Sequence, residues 1–274
     1  MKKIITFSGL SERFTSQGYP IKPLIEIGSK KVYDLAIKNL TSNYEDEKGK
    51  DFIFILKESD CINYSFDELI SNDYPQAKVK IIKDHREGPV KSVLDIQLDI
   101  PDTEEIVVGY CDLYINWNFD EFINFCHESN SDGVVASHNN WHPHRVYNNY
   151  FCYLQTQGSK VLQLREKEHF TDNPLNEPAS SGIYYFKTGK MLKYYLNELV
   201  ERDIRVKNEF YITLPYNIMI EDKLNVHHYD HKNYLCLGTP KDIECIKSFI
   251  TLKNNFSDNI SKAIEYMDLY YEKI

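Results

Sequence analysis

At residues 1–9 the chain reads Met1-Lys2-Lys3-Ile4-Ile5-Thr6-Phe7-Ser8-Gly9, a short apolar run that halts at a glycine. Such a run is expected to form a buried strand followed by a tight turn. It is too short for the apolar core of a secretion signal, and no small-residue cleavage site follows it. Comparable runs recur at 52–56, 79–83, 105–110, 133–137, 150–154, 161–164, 182–186 and 226–229. Phe52-Ile53-Phe54-Ile55-Leu56 has no polar alternation, as expected of a strand covered on both faces. Helical patterns fall between the strands, at 29–40, 66–70, 90–98, 119–127, 190–201 and 209–220. This alternation predicts an α/β fold, a wound sheet with crossover helices.

The 274 residues are 42% apolar and 27% charged, enough for a packed core without staples. We expect a single domain over 1–274. It should carry a substrate-facing extension at about 139–181, rich in Asn, Tyr and His, and a helical tail at about 240–274. In the tail, Thr239-Pro240 reads as a helix start. Residues 258–273 place Ile260, Ala263, Ile264, Met267, Leu269 and Tyr270 on one face, to cover the sheet or to meet another copy in a homo-oligomer. The net charge of −9 and the scatter of Lys and Arg exclude a nucleic-acid footprint. No run approaches the ~20 apolar residues of a membrane span. Six cysteines without a C-x-x-C pair point to reduced thiols, and so to a cytoplasmic protein.

Four segments carry chemistry. In the turn after the first strand, Ser8-Gly9-Leu10-Ser11, backbone N–H groups can face a phosphate, and Arg13 brings a bidentate cation to the same place. Lys22, with Pro20 and Pro23 nearby, sits on a stiff segment. In Val107-Val108-Gly109-Tyr110-Cys111-Asp112, the apolar strand ends in a carboxylate at the edge where open α/β sheets bind ligands. Gly88 precedes a helix start and allows close backbone approach. Glu166-Lys167, read alone, is a solvated pair at a strand end. His142-Pro143-His144 offers two imidazoles, but no third or fourth ligand stands at a fitting spacing, so a substrate-lining loop is expected instead of a zinc site.

Taken in order, these segments resemble the sugar-1-phosphate nucleotidyltransferases, or pyrophosphorylases. Gly9, Arg13, Phe14, Gly18, Tyr19, Lys22, Pro23 and Leu24 fall in register with that family's G-x-G-x-R-F loop, G-Y step and P-K-P-L segment. The resemblance implies a Rossmann-like, GT-A-like mixed sheet with helices on both faces. It also implies transfer of a nucleoside monophosphate from a nucleoside triphosphate to a sugar 1-phosphate, with Mg²⁺ as cofactor. Arg13 and Lys22 would then be catalytic, and Ser8, Gly9, Leu10, Ser11 and Gly88 would cradle the nucleotide. Asp112 would hold the metal. Glu166, Lys167, Ser181, Gly182 and Glu209 would contact the substrate.

Some positions depart from the pattern. Ser11 replaces the second glycine, which a negative φ would tolerate, and Ile21 replaces the first proline of P-K-P. Leu214 is aligned with the family's second metal carboxylate, and Cys236 stands near the Asp that often precedes the G-T-P turn. Three other readings stay open. One is a cytidylyltransferase acting on a non-sugar phosphate such as phosphocholine. Another is a glycosyltransferase of similar architecture, disfavoured because Asp112-Leu113-Tyr114 replaces Asp-x-Asp. The third is a non-catalytic homologue, for which Leu214 is the best support.

Overall fold

Alternate residues of the first strands send their side chains to opposite faces, and each face is apolar. The computed structural model describes residues 1–42 and 44–252; the predicted tail helix at 258–273 lies outside them. In chain order the strands are β1 (Lys2–Thr6), β2 (Glu26–Ile27), β3 (Lys30–Lys31), β4 (Phe52–Lys57), β5 (Lys78–Ile82), β6 (Ile106–Tyr110), β7 (Leu113–Ile115), β8 (Gly133–His138), β9 (Cys152–Gln157), β10 (Lys160–Glu166), β11 (Ala179–Phe186), β12 (Val226–His231) and β13 (Tyr234–Cys236). Nine of them form one sheet in the order β5-β4-β1-β6-β11-β8-β12-β10-β9. Ile4, Ile53, Ile55 and Val108 face one core, shared with helices Pro89–Asp95, Gly189–Glu201 and Pro215–Glu221. Ile5, Phe52, Phe54, Leu56 and Val107 face the other, shared with helices Val32–Lys38, Phe66–Asp73 and Phe119–Glu128. The result is the expected wound mixed sheet, covered on both sides.

Topology then fixes where function can sit. β1 runs parallel to both β4 and β6, with Thr6 opposite Tyr110. The loops that leave β1 and β6 therefore emerge side by side. β11 is antiparallel to β6, so its first residues return to that same edge. The β9–β10 hairpin joins them because Tyr153 pairs with Ala179 and Glu166 with Cys152. β7 and β13 form a separate ribbon that pairs Leu113 with Cys236.

Two expectations need correction. The helix predicted at 209–220 begins only at Pro215, because Pro lacks an N–H and suits the first helical position. Residues before it are held instead by tertiary bonds: Phe210 N–H donates to Glu87 O at 2.8 Å, and Val90 N–H to Phe210 O at 3.1 Å. The helix predicted at 29–40 spans only Val32–Lys38, since Gly28, at φ 60°, turns the chain between β2 and β3.

His231 closes β12 under nearly complete burial. Its Nδ1 lies 2.9 Å from Lys232 O, which can only accept, so Nδ1 carries the proton and Nε2 accepts from Ser181 Oγ at 2.6 Å. Burial pushes its pKa down to about 4, from an ordinary 6.5. Below pH 6.5 the unfolded chain takes up a proton that the folded chain refuses until about pH 4. Stability is thus full above that window and falls as pH drops through it, by up to about 1.4 kcal/mol per pH unit from this residue. Urea midpoints measured between pH 7 and pH 5 should fall accordingly, and less steeply for His231→Asn. An identical slope in the variant would contradict the assignment.

Candidate active site

The loops that meet at the carboxyl ends of β1 and β6 enclose a cleft with two lobes. The larger, about 420 Å³, is lined among others by Ser8, Gly9, Leu10, Ser11, Arg13 and Lys22, with Gly88, Asp112, Lys167 and Glu209 opposite. The smaller, about 200 Å³, is lined by Glu166, Ser181, Gly182 and Cys236 and shares Arg13, Asp112 and Lys167 with the first. Each residue expected to serve catalysis, the nucleotide, the metal or the acceptor reaches one of these lobes.

At the junction Lys22 Nζ lies 3.0 Å from Asp112 Oδ2. Burial disfavours the ammonium charge, but the Asp112 carboxylate more than offsets this and lifts the lysine pKa above its ordinary range. Lys22 is a fixed cation there. Asp112 is about one-third exposed and faces the cleft. Arg13 packs its guanidinium 4.9 Å from the Tyr150 ring centre, a cation–π contact that ties it to the 144–150 segment.

In the second lobe Glu166 is almost fully buried, and Thr213 Oγ1 donates to its Oε2 at 2.7 Å. Burial pushes the Glu166 carboxyl up to about 7, against the opposing effects of Thr213 and Lys167. Burial also lowers the Lys167 pKa, which Glu166 and Glu209 partly restore. The Lys167 ammonium donates to the Tyr211 hydroxyl and lies 4.2 Å from that ring's centre. Ser181 is buried with its hydroxyl committed to His231.

Ser11 departs from the expectation of a negative φ: it sits at φ 57°, in the left-handed region. Its Oγ accepts the Lys22 N–H at 3.0 Å, a bond no glycine could make. The serine thereby joins the first loop to the lysine segment. Leu214, aligned with the family's second metal position, supplies no ligand there. It packs in the core with Ile212 and Tyr216 and lines neither lobe. The residue brought beside Asp112 is Cys236. Leu237 N–H donates to Asp112 O at 2.8 Å. A side chain at Gly238 would stand 3.4 Å from Cys236 Sγ and 3.8 Å from Asp112 Oδ2.

Sequence reading also missed His85, Tyr110 and Tyr211, which line the cleft. His85 Nδ1 accepts from Glu87 N–H at 3.2 Å, so Nε2 donates to Ser92 Oγ at 3.1 Å, and Ser92 Oγ lies 2.8 Å from Ser8 Oγ. No local pattern marks this relay, because its members are joined only by the β1–helix packing.

No curated protein gives a significant match to the chain. Among solved structures, a nucleoside-diphosphate-sugar pyrophosphorylase from Vibrio cholerae RC9 superposes with a TM-score of 0.69 at 19% identity, over 90% of this chain and 100% of that one. The inositol-1-phosphate CTP transferase of T. maritima superposes at 0.66 and 12% identity, over 96% of each chain. At these identities the likeness is one of fold. A nucleotidyl transferase family model, however, matches residues 15–253, most of the chain. The protein belongs to the nucleotidyl transferase family.

Proposed function

We propose that the protein transfers a nucleoside monophosphate from a nucleoside triphosphate to a sugar 1-phosphate, making a nucleotide-activated sugar for surface polysaccharide synthesis. The observation that carries this reading is the convergence of Arg13, Lys22 and Asp112 on one cleft at the ends of β1 and β6. An oxygen of the acceptor phosphate attacks the α-phosphorus. The bond to the bridging oxygen breaks, and pyrophosphate leaves with that electron pair. Nothing covalent forms on the protein, so its task is to position the reactants and neutralise charge. Arg13 and the Ser8–Ser11 backbone hold the departing pyrophosphate. Lys22 draws together two phosphates that otherwise repel.

Asp112 is the residue that would hold Mg²⁺. One cleft-facing carboxylate with access to water suits a hard cation that completes its shell with water and substrate phosphates. When bound, that ion spreads the negative charge of the phosphates. Glu166 and Lys167 receive the acceptor's hydroxyls and phosphate, with Ser181, Gly182 and Glu209 around them. The segment at about 139–181 supplies the outer wall of this acceptor side, within one domain.

A pyrophosphate-release screen of the common triphosphates against sugar 1-phosphates, inositol 1-phosphate and phosphocholine tests the reading. Release confined to a sugar 1-phosphate supports it, and release confined to a non-sugar acceptor replaces the acceptor class. Nucleotide binding without release from any pair would make the protein a non-catalytic homologue. The Glu166 carboxyl, at about 7, adds a pH signature. Above pH 7 it is ionised and accepts sugar hydroxyls; below, it loses acceptor capacity. The acceptor KM should therefore fall as pH rises from 6 to 8, and Glu166→Gln should raise KM about tenfold and flatten the profile. A variant that keeps the wild-type profile would remove Glu166 from the acceptor site.

A further inference from the structure

His142 and His144 lack ligand partners in sequence, yet the fold supplies them. The β7–β13 ribbon places Cys236 beside the cleft, and Asp242 lies in the first turn of helix Pro240–Leu252, which follows at once. Ligand atoms of His142, Cys236 and Asp242 all lie within 4.8 Å of one another. The carboxylate is held in place from one side: its Oδ2 accepts from Thr239 N–H at 2.9 Å, Thr239 Oγ1 at 2.7 Å and His144 Nε2 at 3.1 Å. Its Oδ1 faces His142 Nε2 at 3.7 Å, too long for a hydrogen bond. Cys236 Sγ is 3.5 Å from Oδ2. Ligands on a tetrahedral zinc ion, with bonds of about 2.0–2.3 Å, stand roughly 3.3–3.7 Å apart. The His142–Asp242 spacing of 3.7 Å is already at that limit, and the widest spacing in the cluster, at most 4.8 Å, must close by about an ångström.

We propose that His142, Cys236 and Asp242 form a zinc site, distinct from the position at the Asp112 carboxylate, which pairs with Lys22. A thiolate, an imidazole and a carboxylate suit a borderline cation and not Mg²⁺. His142 Nδ1 accepts the His144 N–H at 3.2 Å, so Nε2 carries the ring proton in the empty site. On binding, that proton moves to Nδ1 and the long bond from His144 opens, while the Cys236 thiol proton passes to solvent; Nε2 and the sulfur then bond the metal, with water completing the set. His144 and Thr239 orient the carboxylate from behind, as partners of ligating carboxylates commonly do. The ion pins the turn after β13 to the 142–144 segment, and so fixes one wall of the smaller lobe. The site does not depend on the transfer reaction, and its test uses no nucleotide.

Full-length protein stripped with a chelator is titrated with Zn²⁺ alone, in competition with a chromogenic chelator. The expected result is one ion per chain. Affinity should fall by more than about tenfold in Cys236→Ser and His142→Ala, fall about ten- to hundredfold in His144→Ala, and persist in Asp112→Asn. Co²⁺ loading should give a thiolate-to-metal charge-transfer band that Cys236→Ser abolishes. Thermal melts of the stripped variants confirm that each is folded. Absence of stoichiometric binding, unchanged affinity in folded Cys236→Ser, or loss of binding in Asp112→Asn would each overturn the proposal.

Discussion

Lys22→Ala is expected to lower turnover about a hundred- to thousandfold while leaving the fold intact. The ammonium is largely buried, 3.0 Å from Asp112, and holds its proton firmly. It is therefore a permanent charge near the junction of the two lobes, where the proposed reaction brings the triphosphate and the acceptor phosphate together. Two unit anions 4 Å apart repel by about 4 kcal/mol at the effective dielectric of a protein surface. Removing the cation returns much of that cost to the transition state. The structural penalty is smaller, because Asp112 is about one-third exposed and water can solvate it. Lys22→Arg should recover little, since a planar fork does not replace a compact point charge on a short, stiff segment. The check is pyrophosphate release under saturating substrates, beside a thermal melt of each protein. Turnover within twofold of wild type would place the reacting phosphates elsewhere.

What the sequence could disclose follows from how far apart the interacting residues lie. Strand β4 was legible because Phe52–Leu56 is an unbroken apolar run, and the structure buries every position of the strand. The lining of the cleft was legible where a strand runs directly into its own loop, as at Gly9, Arg13 and Asp112. Ser11 was harder. Its φ of 57° is sustained by the Lys22 N–H, eleven residues on, and no local rule anticipates that bond. The segment 209–214 has helical periodicity but spends its backbone bonds on the turn at Glu87 and Val90, so tertiary pairing overrode the pattern. Leu214 was matched to a metal position by the family resemblance, and its side chain packs in the core. Cys236 comes opposite Leu113 only through a ribbon that spans more than a hundred residues. The zinc ligands are hidden for the same reason.

Gly88→Ala and Gly9→Ala should separate a glycine required by folding from one that leaves room for a ligand. Gly88 has φ 92°, and a Cβ built there would lie 2.8 Å from both Phe210 N and Phe210 O. Those are backbone atoms tied to Glu87 O and Val90 N–H, so they cannot retreat without breaking the bonds that hold the turn. Strain at the dihedral and overpacking together should cost about 3 kcal/mol, or a melting temperature lower by roughly 6–12 °C for a chain of this size. The same Cβ would press on Glu209 Cβ at 3.0 Å, so nucleotide KM should rise as well. At Gly9 φ is not in the left-handed region, and a Cβ would meet nothing within 4 Å. Gly9→Ala should therefore melt within about 2 °C of wild type, since a compatible Gly→Ala change is neutral or mildly stabilising. Its effect should appear only in KM for the triphosphate, as the methyl occupies space that a phosphate needs. Differential scanning calorimetry and steady-state kinetics on the two variants decide the matter. A Gly9→Ala enzyme with wild-type KM would show that the first loop does not touch the nucleotide, whatever Gly88 does.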